Sequence, residues 1–232
     1  MRCYWKQSYT LVEILVVLAI IGVLMSISMP TFEKITKGNR VGNAASNIGT
    51  ALSLARSQAI ANRRCVAVII PANSVDDLSG SDKAFFKPYQ FRGFRLCYVT
   101  YDNASGVTFV EWVPNSKWEM IPEGTVIAEA DSKADPGGNL LRDFDKVNYS
   151  GLNTVNKPSS GTQFPCNLAN CAVVFTPFGQ TINDSFRIIT ADGIFASKTT
   201  GEQIFTSPDG TGKPFNYIAV KIRKFTGRVS YE

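Results

Sequence analysis

A long apolar stretch near the N-terminus limits what this chain can fold into. From Ile14 to Phe32 there is no charged side chain over 19 residues. As an α-helix the stretch measures roughly 28 Å, because the rise is about 1.5 Å per residue, and the hydrocarbon core of a bilayer is about 30 Å thick. The sequence therefore predicts a membrane-spanning helix, to which we assign residues 9–32.

Charged residues near the start of this helix predict its orientation in the membrane, and one of them is costly to place in lipid. Arg2 and Lys6 lie in the eight residues before it, so the positive-inside rule places this end in the cytoplasm. Glu13 stands at the front edge of the apolar stretch. A carboxylate at mid-depth costs roughly 2.5–3.5 kcal/mol, and less near a helix end. Glu13 is therefore either tolerated at the membrane interface or held by a partner.

The next segment, residues 33–63, predicts an amphipathic helix. Where the two helical stretches meet, the sequence has three residues that weaken helices: Pro30, Gly38 and Gly42. They predict a kink or local melting at this place. Beyond them, small or apolar residues recur in steps of three and four, as on one face of a helix. These are Val41, Ala45, Ile48, Leu52, Ala55 and Ala59, with Ala44, Ala51, Leu54 and Ile60 expected to broaden the stripe.

Residues 64–232 have the composition of a β-rich domain. Segments rich in Val, Ile, Phe and Tyr alternate with turn residues, which is typical of antiparallel strands. Two stretches, Ala72–Pro88 and Ala130–Gln163, read as loops or insertions. Strands are predicted at Cys65–Ile70, Phe91–Tyr101, Val107–Val113, Thr125–Glu129, Ala172–Phe175, Phe186–Thr190, Tyr217–Ile222 and Arg228–Tyr231.

Four cysteines follow the first helix: Cys65, Cys97, Cys166 and Cys171. Disulfides are permitted on the exported side of a membrane. Cys166 and Cys171 are close enough in sequence to close a small loop, whereas Cys65 and Cys97 lie in predicted strands and could pair across them. Four cysteines allow three connectivities, and buried thiols acting as small hydrophobic residues are the alternative.

The composition argues against an enzyme. The chain has no histidine, which excludes Ser-His-Asp triads, Cys-His pairs and His-ligated zinc sites. Asp76, Asp77 and Asp82 form an acidic loop without the alternating spacing of a calcium loop, so a solvated turn is the simpler interpretation. We predict no catalytic residues, no metal and no cofactor.

The segment from Ser8 to Glu13, followed by the apolar helix, resembles the N-terminus of type IV pilins and pseudopilins. That family has a glycine, then Phe-Thr-Leu-Ile/Val-Glu, then the helix. Counted from Tyr9, Glu13 is the fifth residue and Pro30 the twenty-second, as is usual in the family. Ser8 and Tyr9 replace the usual glycine and phenylalanine.

Later segments resemble minor pilins of the GspH/FimT type, in the same order along the chain. Leu54–Val68 resembles their helix-to-strand junction, and Ile121–Val126 their Leu-Pro-x-Gly-Val segment. Val174–Gly179 resembles their Phe-x-Pro-x-Gly turn, and Ile218–Val229 their closing hairpin.

The resemblance implies a fold and a function. The fold is α+β: a long N-terminal helix packed on a C-terminal antiparallel sheet domain. The function is that of a minor pilin or pseudopilin in a type II secretion or type IV pilus-like filament. Residues 1–8 would be a leader removed by a prepilin peptidase between Ser8 and Tyr9, with methylation of the new amine. Glu13 and Pro30 would act in assembly.

The resemblance also implies partners and a location. Expected partners are other pilin-type subunits, the prepilin peptidase, an inner-membrane assembly platform and, before assembly, membrane lipid. The chain would cross the bacterial inner membrane once, with its β domain outside the cytoplasm.

Two alternatives remain open. Ser26-Ile-Ser28 follows an apolar core, so a conventional signal peptide cut after Ser28 would release a secreted β-rich protein. The other alternative is a DNA-binding minor pilin of natural transformation, because phosphate attraction needs a basic patch. The final hairpin has such residues, although a solvated edge hairpin is the simpler interpretation. They are Lys221, Arg223, Lys224 and Arg228.

Overall fold

The computed structural model describes seven parts of the chain: residues 11–72, 75–131, 152–158, 167–182, 186–195, 203–205 and 216–232. Side chains are described in these parts except at 27–38, 129–131, 170, 194–195 and 203–205. Ser8, Tyr9, Cys166 and most of the predicted insertion Ala130–Gln163 lie outside the described residues, as does the side chain of Pro30.

Helix α1 extends over Leu11–Asn62, a run of 52 residues. Its backbone is helical through Pro30, Gly38 and Gly42, so the predicted melting does not occur in this structure. The chain divides into two compact units, Met1–Asn39 and Arg40–Glu232, and the boundary falls inside α1.

The second half of α1 supplies one side of the main core. The predicted stripe is confirmed, because all six of its principal residues are buried, as are Ala44 and Ala51. Leu54 and Ile60, which were expected to broaden it, are exposed instead. Alanines along this face let the helix approach the strands closely, because they add little side-chain bulk.

Eleven strands and one short helix follow α1 in the described residues. Helix α2, Gly80–Phe86, lies in a segment predicted to be a loop. A 3-10 turn, Lys87–Tyr89, continues from it. The strands are β1 Cys65–Ile69, β2 Gly93–Asp102, β3 Gly106–Trp112, β4 Glu119–Met120, β5 Thr125–Asp131, β6 Asn153–Asn156, β7 Leu168–Phe175, β8 Phe186–Phe195, β9 Gln203–Phe205, β10 Tyr217–Ile222 and β11 Val229–Tyr231.

The first sheet closes on itself. Its strand order is β1-β7-β6-β3-β2-β4, and β1 also pairs with β2, so five of its strands form a ring. All pairs in the ring are antiparallel except β3 with β6, which are parallel. Strand β6 was missed because it lies within the predicted insertion, and a four-residue polar strand has little sequence signal.

Alternation along β1 separates two cores, because successive side chains of a strand point to opposite faces. Val66 and Val68 join the core beneath α1. Ala67 and Ile69 join the interior of the ring, together with Phe109 of β3 and Val174 of β7. The ring is therefore filled with side chains and is not open.

The second sheet has the order β11-β10-β8-β5, with β9 paired to β8. All of its pairs are antiparallel. Phe186, Ile188, Val220 and Ile222 of this sheet join the same core as the α1 stripe. Helix α1 thus packs on both sheets, which confirms the predicted α+β pilin-type architecture.

The cross-strand Cys65–Cys97 disulfide is not formed, and both residues are free thiols. Cys65 lies opposite Val99, and Cys97 opposite Ala67. The two cysteines are thus diagonal neighbours, whose Cα atoms lie about 7–8 Å apart, whereas a disulfide usually joins Cα atoms about 4.4–6.8 Å apart. Burial raises the pKa of the Cys97 thiol well above its ordinary value, as expected of a small hydrophobic residue. The Cys171 thiol donates to the Leu168 carbonyl at 3.4 Å.

The ring interior can be tested with one substitution made at two phenylalanines. Phe109→Ala removes a buried side chain from the ring and should lower the free energy of unfolding by about 3–5 kcal/mol. Phe178→Ala, at an exposed turn, should change it by less than about 0.5 kcal/mol. Denaturant unfolding of the full chain in detergent measures both. Equal effects would contradict the packing described here.

Candidate functional site

The N-terminal part of α1, Leu11–Met25, is apolar on all sides apart from Glu13. The large apolar residues described between Leu11 and Met25 are exposed. Such a helix gains stability only when lipid or other protein covers it. Among the described residues, no helix meets the combined length and hydropathy expected of a membrane span.

Glu13 lies in the first turn of α1, and its side chain is exposed. A carboxylate there interacts favourably with the positive end of the helix dipole, which is worth about 0.3–1 kcal/mol at an exposed position. The carboxylate is also accessible to a group from another molecule.

A second site lies where the C-terminal end of α1 meets two turns of the β domain. Arg56 donates from Nε to the Gly179 carbonyl oxygen at 3.2 Å. The Thr181 N–H donates to the Lys224 carbonyl oxygen at 2.9 Å, which joins the turn around Gly179 to the turn around Gly227. We call this contact of α1 with residues 176–181 and 223–228 the junction.

Two glycines make the junction possible. Gly179 has φ of +75° and Gly227 has φ of +57°, a left-handed conformation that costs other residues free energy. A Cβ atom on Gly227 would overlap the carbonyl oxygen of Gly179. A Cβ atom on Gly179 would crowd the side chain of Ile60. The close approach of the two turns therefore requires glycine at position 227, and the positive φ favours glycine at position 179.

The junction unites three of the segments that resemble GspH/FimT proteins. Arg56 comes from the helix-to-strand segment, Gly179 from the Phe-x-Pro-x-Gly turn, and Gly227 from the closing hairpin. Sequence reasoning noted each segment but missed their contact and the exposed Phe178. The available signal was a large aromatic residue inside a proline-glycine turn.

The predicted basic patch is divided in the structure. Lys221 of β10 forms an ion pair with Glu232, with 2.7 Å between Nζ and Oε1. Arg187 of β8 reaches the same carboxylate at 3.4 Å. Arg223 and Arg228 are exposed in the turn between β10 and β11. Lys224 is half-buried, and its Nζ lies 5.9 Å from the centroid of the Phe225 ring.

In the acidic loop, Asp76 is bound by side chains of the same segment of the chain. The Asp76 carboxylate accepts from Lys87 Nζ at 2.7 Å and from Gln90 Nε2 at 2.8 Å. Partial burial raises the pKa of Asp76, but the hydrogen bonds and the charges of Lys87 and Lys83 outweigh it, so the pKa is lowered. In the described parts of the chain, no three acidic or cysteine side chains cluster in the manner of a metal site.

Two family models match the chain. The prokaryotic N-terminal methylation motif matches residues 6–29. The type II transport protein GspH matches residues 44–210, which is more than half of the chain. The chain belongs to the GspH family. It is thus a type IV pilin-like protein, a minor pilin or pseudopilin of the type IV pilus or type II secretion type.

Solved structures of two such proteins are similar to this GspH family member. One is the type IV minor pilin FimU of Pseudomonas aeruginosa, with 14% identity, a TM-score of 0.40, and coverage of 85% of this chain and 92% of that one. The other is the minor pseudopilin EpsH from the type 2 secretion system of Vibrio cholerae, with 12% identity, a TM-score of 0.36, and coverage of 83% and 96%. Curated protein sequences contain no match to this chain.

Replacing glycine by alanine should have opposite effects on stability at two positions, one in the junction and one outside it. Gly227→Ala should lower the free energy of unfolding by about 1–3 kcal/mol, because alanine is strained at positive φ and its Cβ meets Gly179. Gly42→Ala is the control: it lies within α1 with no atom near the added Cβ, so it should raise stability by about 0.5–1 kcal/mol. Thermal or denaturant unfolding distinguishes the two. A stable Gly227→Ala variant would contradict the close approach.

The Glu232 ion pairs predict a dependence on pH. Lys221, by hydrogen bond and charge, lowers the pKa of Glu232 below its ordinary value of 4.5 despite slight burial. A lowered pKa in the folded state means that the stabilisation is complete above pH 4.5 and is lost as the pH falls through the folded pKa. The difference in stability between the wild type and Glu232→Gln should therefore shrink as the pH falls from 6 to 3. A difference that stays constant over this pH range would contradict the stabilising role of the Glu232 ion pairs.

Proposed function

We propose that this chain is made as a prepilin, cut between Ser8 and Tyr9 on the cytoplasmic face, and assembled through α1 into a short filament. The main support is the exposed apolar helix from Leu11 to Met25, with Glu13 in its first turn. The match to the N-terminal methylation motif supports the same proposal. Before assembly, the apolar helix anchors the subunit in the inner membrane, with the β domain outside the cytoplasm.

Cleavage at Ser8 would create a cation that can pair with Glu13 of a neighbouring subunit. The new amino group of Tyr9 is positively charged, with or without methylation. At about 4 Å and an effective dielectric constant near 20, its attraction to the Glu13 carboxylate of a neighbour is about 4 kcal/mol before desolvation. Desolvation of both charges offsets much of this energy. The pair therefore acts mainly on the register of neighbouring helices.

The globular unit, Arg40–Glu232, stays folded during this process. The second half of α1 is buried against both sheets, so the part of the helix that lipid or neighbouring helices can cover is the N-terminal part. A prepilin peptidase, an assembly platform and other pilin-type subunits are the partners of this cycle. The β domain determines which neighbour or cargo the subunit meets.

Glu13→Ala tests the assembly role. The variant should be cleaved normally, because Glu13 lies after the cut, but its incorporation into sheared filaments should fall about tenfold or more, since a desolvated partner loses its charge pair. Glu13→Asp keeps the charge and should retain part of the incorporation. Glu119→Ala, at an exposed position of the globular unit, is the control. Normal assembly of Glu13→Ala would show that the proposed role of Glu13 is wrong.

Intact mass of the membrane-extracted protein tests the processing step. The proposal predicts a chain that begins at Tyr9 and bears one methyl group. A chain that begins at Met29 would instead support a conventional signal peptide and a secreted protein.

A further inference from the structure

Two phenylalanines stand out on the surface of the junction. Phe178 is 86% exposed and Phe225 is 77% exposed, more than any other aromatic side chain in the described residues. Each lies in one of the two turns that meet there. We call these two rings, with Arg223, Lys224 and Arg228, the aromatic–basic surface.

The backbone under this surface is held by hydrogen bonds. The Gly179 N–H donates to the Thr176 carbonyl oxygen at 2.8 Å, and the Gly227 N–H to the Arg223 carbonyl oxygen at 2.7 Å. The link from Thr181 to Lys224 and the Arg56 guanidinium join the two turns to each other and to α1. Both aromatic side chains therefore start from an ordered backbone, which reduces the entropy lost when a partner binds.

The charged residues in the two turns of this surface are all positive. Neither Thr176–Thr181 nor Arg223–Arg228 contains an acidic residue. The Glu232 carboxylate of the same hairpin forms ion pairs with Lys221 and Arg187. Aromatic and arginine side chains dominate the binding energy of protein interfaces. Complementary charge on the partner adds specificity and speeds association.

We infer that the aromatic–basic surface docks the globular domain of a different pilin-type subunit, through an apolar pocket rimmed by Asp or Glu side chains. This inference rests on the proposed filament function and assigns the subunit contact to a particular surface. Phe178 and Phe225 enter the pocket, and Arg223 and Arg228 face its acidic rim.

A protein partner fits this surface better than a nucleic acid does. Affinity for DNA grows with the number of phosphates that Lys and Arg side chains neutralise, and a protein with strongly salt-dependent binding makes about 6–10 such contacts. The aromatic–basic surface offers three cations, and the neighbouring Lys221 is engaged by Glu232. Two exposed phenylalanines on an ordered backbone, with arginines beside them, instead match the residue types that are enriched in protein interfaces.

A photo-crosslinking amino acid in place of Phe178, in the full chain and in cells that assemble the filament, tests this inference. The expected adduct joins residue 178 to the globular domain of another pilin-type subunit, at an apolar segment flanked by acidic residues. The same amino acid at Phe85, which is half exposed on α2, is the control position.

Charge variants in the same crosslinking chain test the acidic rim. Arg223→Glu combined with Arg228→Glu should reduce the yield at residue 178 by about fivefold or more, because two attractive rim contacts become repulsive. Lys117→Glu, an exposed lysine in another loop, should leave the yield unchanged.

Other outcomes would overturn the inference. They are adducts with nucleic acid, with lipid or with residues 206–215 of the same chain, a yield no higher than at Phe85, and a yield insensitive to the charge reversal. If the chain is present in the filament fraction and residue 178 behaves in one of these ways, only the docking surface is wrong. If the chain is absent from that fraction, the proposed function fails as well.

Discussion

The packing of the second half of α1 against both sheets is the contact on which the rest of the structure depends. The stripe from Val41 to Ala59 is buried together with Val66 of β1 and Ile188 of β8. Because its residues are mostly small, the helix lies close to the strands, and Arg56 can reach a turn of the β domain. The same helix continues towards the N-terminus as an apolar, exposed segment. Helix α1 thus joins the globular unit to an exposed apolar segment, which lipid or another protein must bury.

The junction fixes the position of two turns of the β domain on the second half of α1. Arg56 and Ile60 of α1 contact the turn at Gly179, and that turn contacts the final hairpin at Gly227. The two turns are therefore positioned by side-chain contacts with the helix and by a backbone contact with each other that leaves no room for a side chain at Gly227. As a result, Phe178 and Phe225 stand at a defined place on the globular unit.

The sequence predicted features that repeat along the chain better than features that depend on contacts between distant segments. The helical stripe and the alternation of Val66 and Ala67 follow from periodicity, and most strand positions were predicted to within a few residues. Helix α2 was missed because Ser79 and Gly80 look like a turn, and the parallel pairing of β6 with β3 has no local signal. The position of Cys65 opposite Val99 depends on register, which cysteine spacing does not reveal. Likewise, the motifs around Arg56, Gly179 and Gly227 were visible in the sequence, but their contact was not.

An electron cryomicroscopy map of filaments or filament tips that contain this chain is the most direct test of the central claim. That claim is that the exposed apolar part of α1 is covered by the helices of neighbouring subunits and that Glu13 meets a neighbour's amino group. The account predicts that residues 11–26 lie against adjacent helices, with the Glu13 carboxylate within about 4 Å of the Tyr9 amine of the next subunit. A map in which this segment lies outside the helical core, or in which Glu13 faces solvent, would contradict the account.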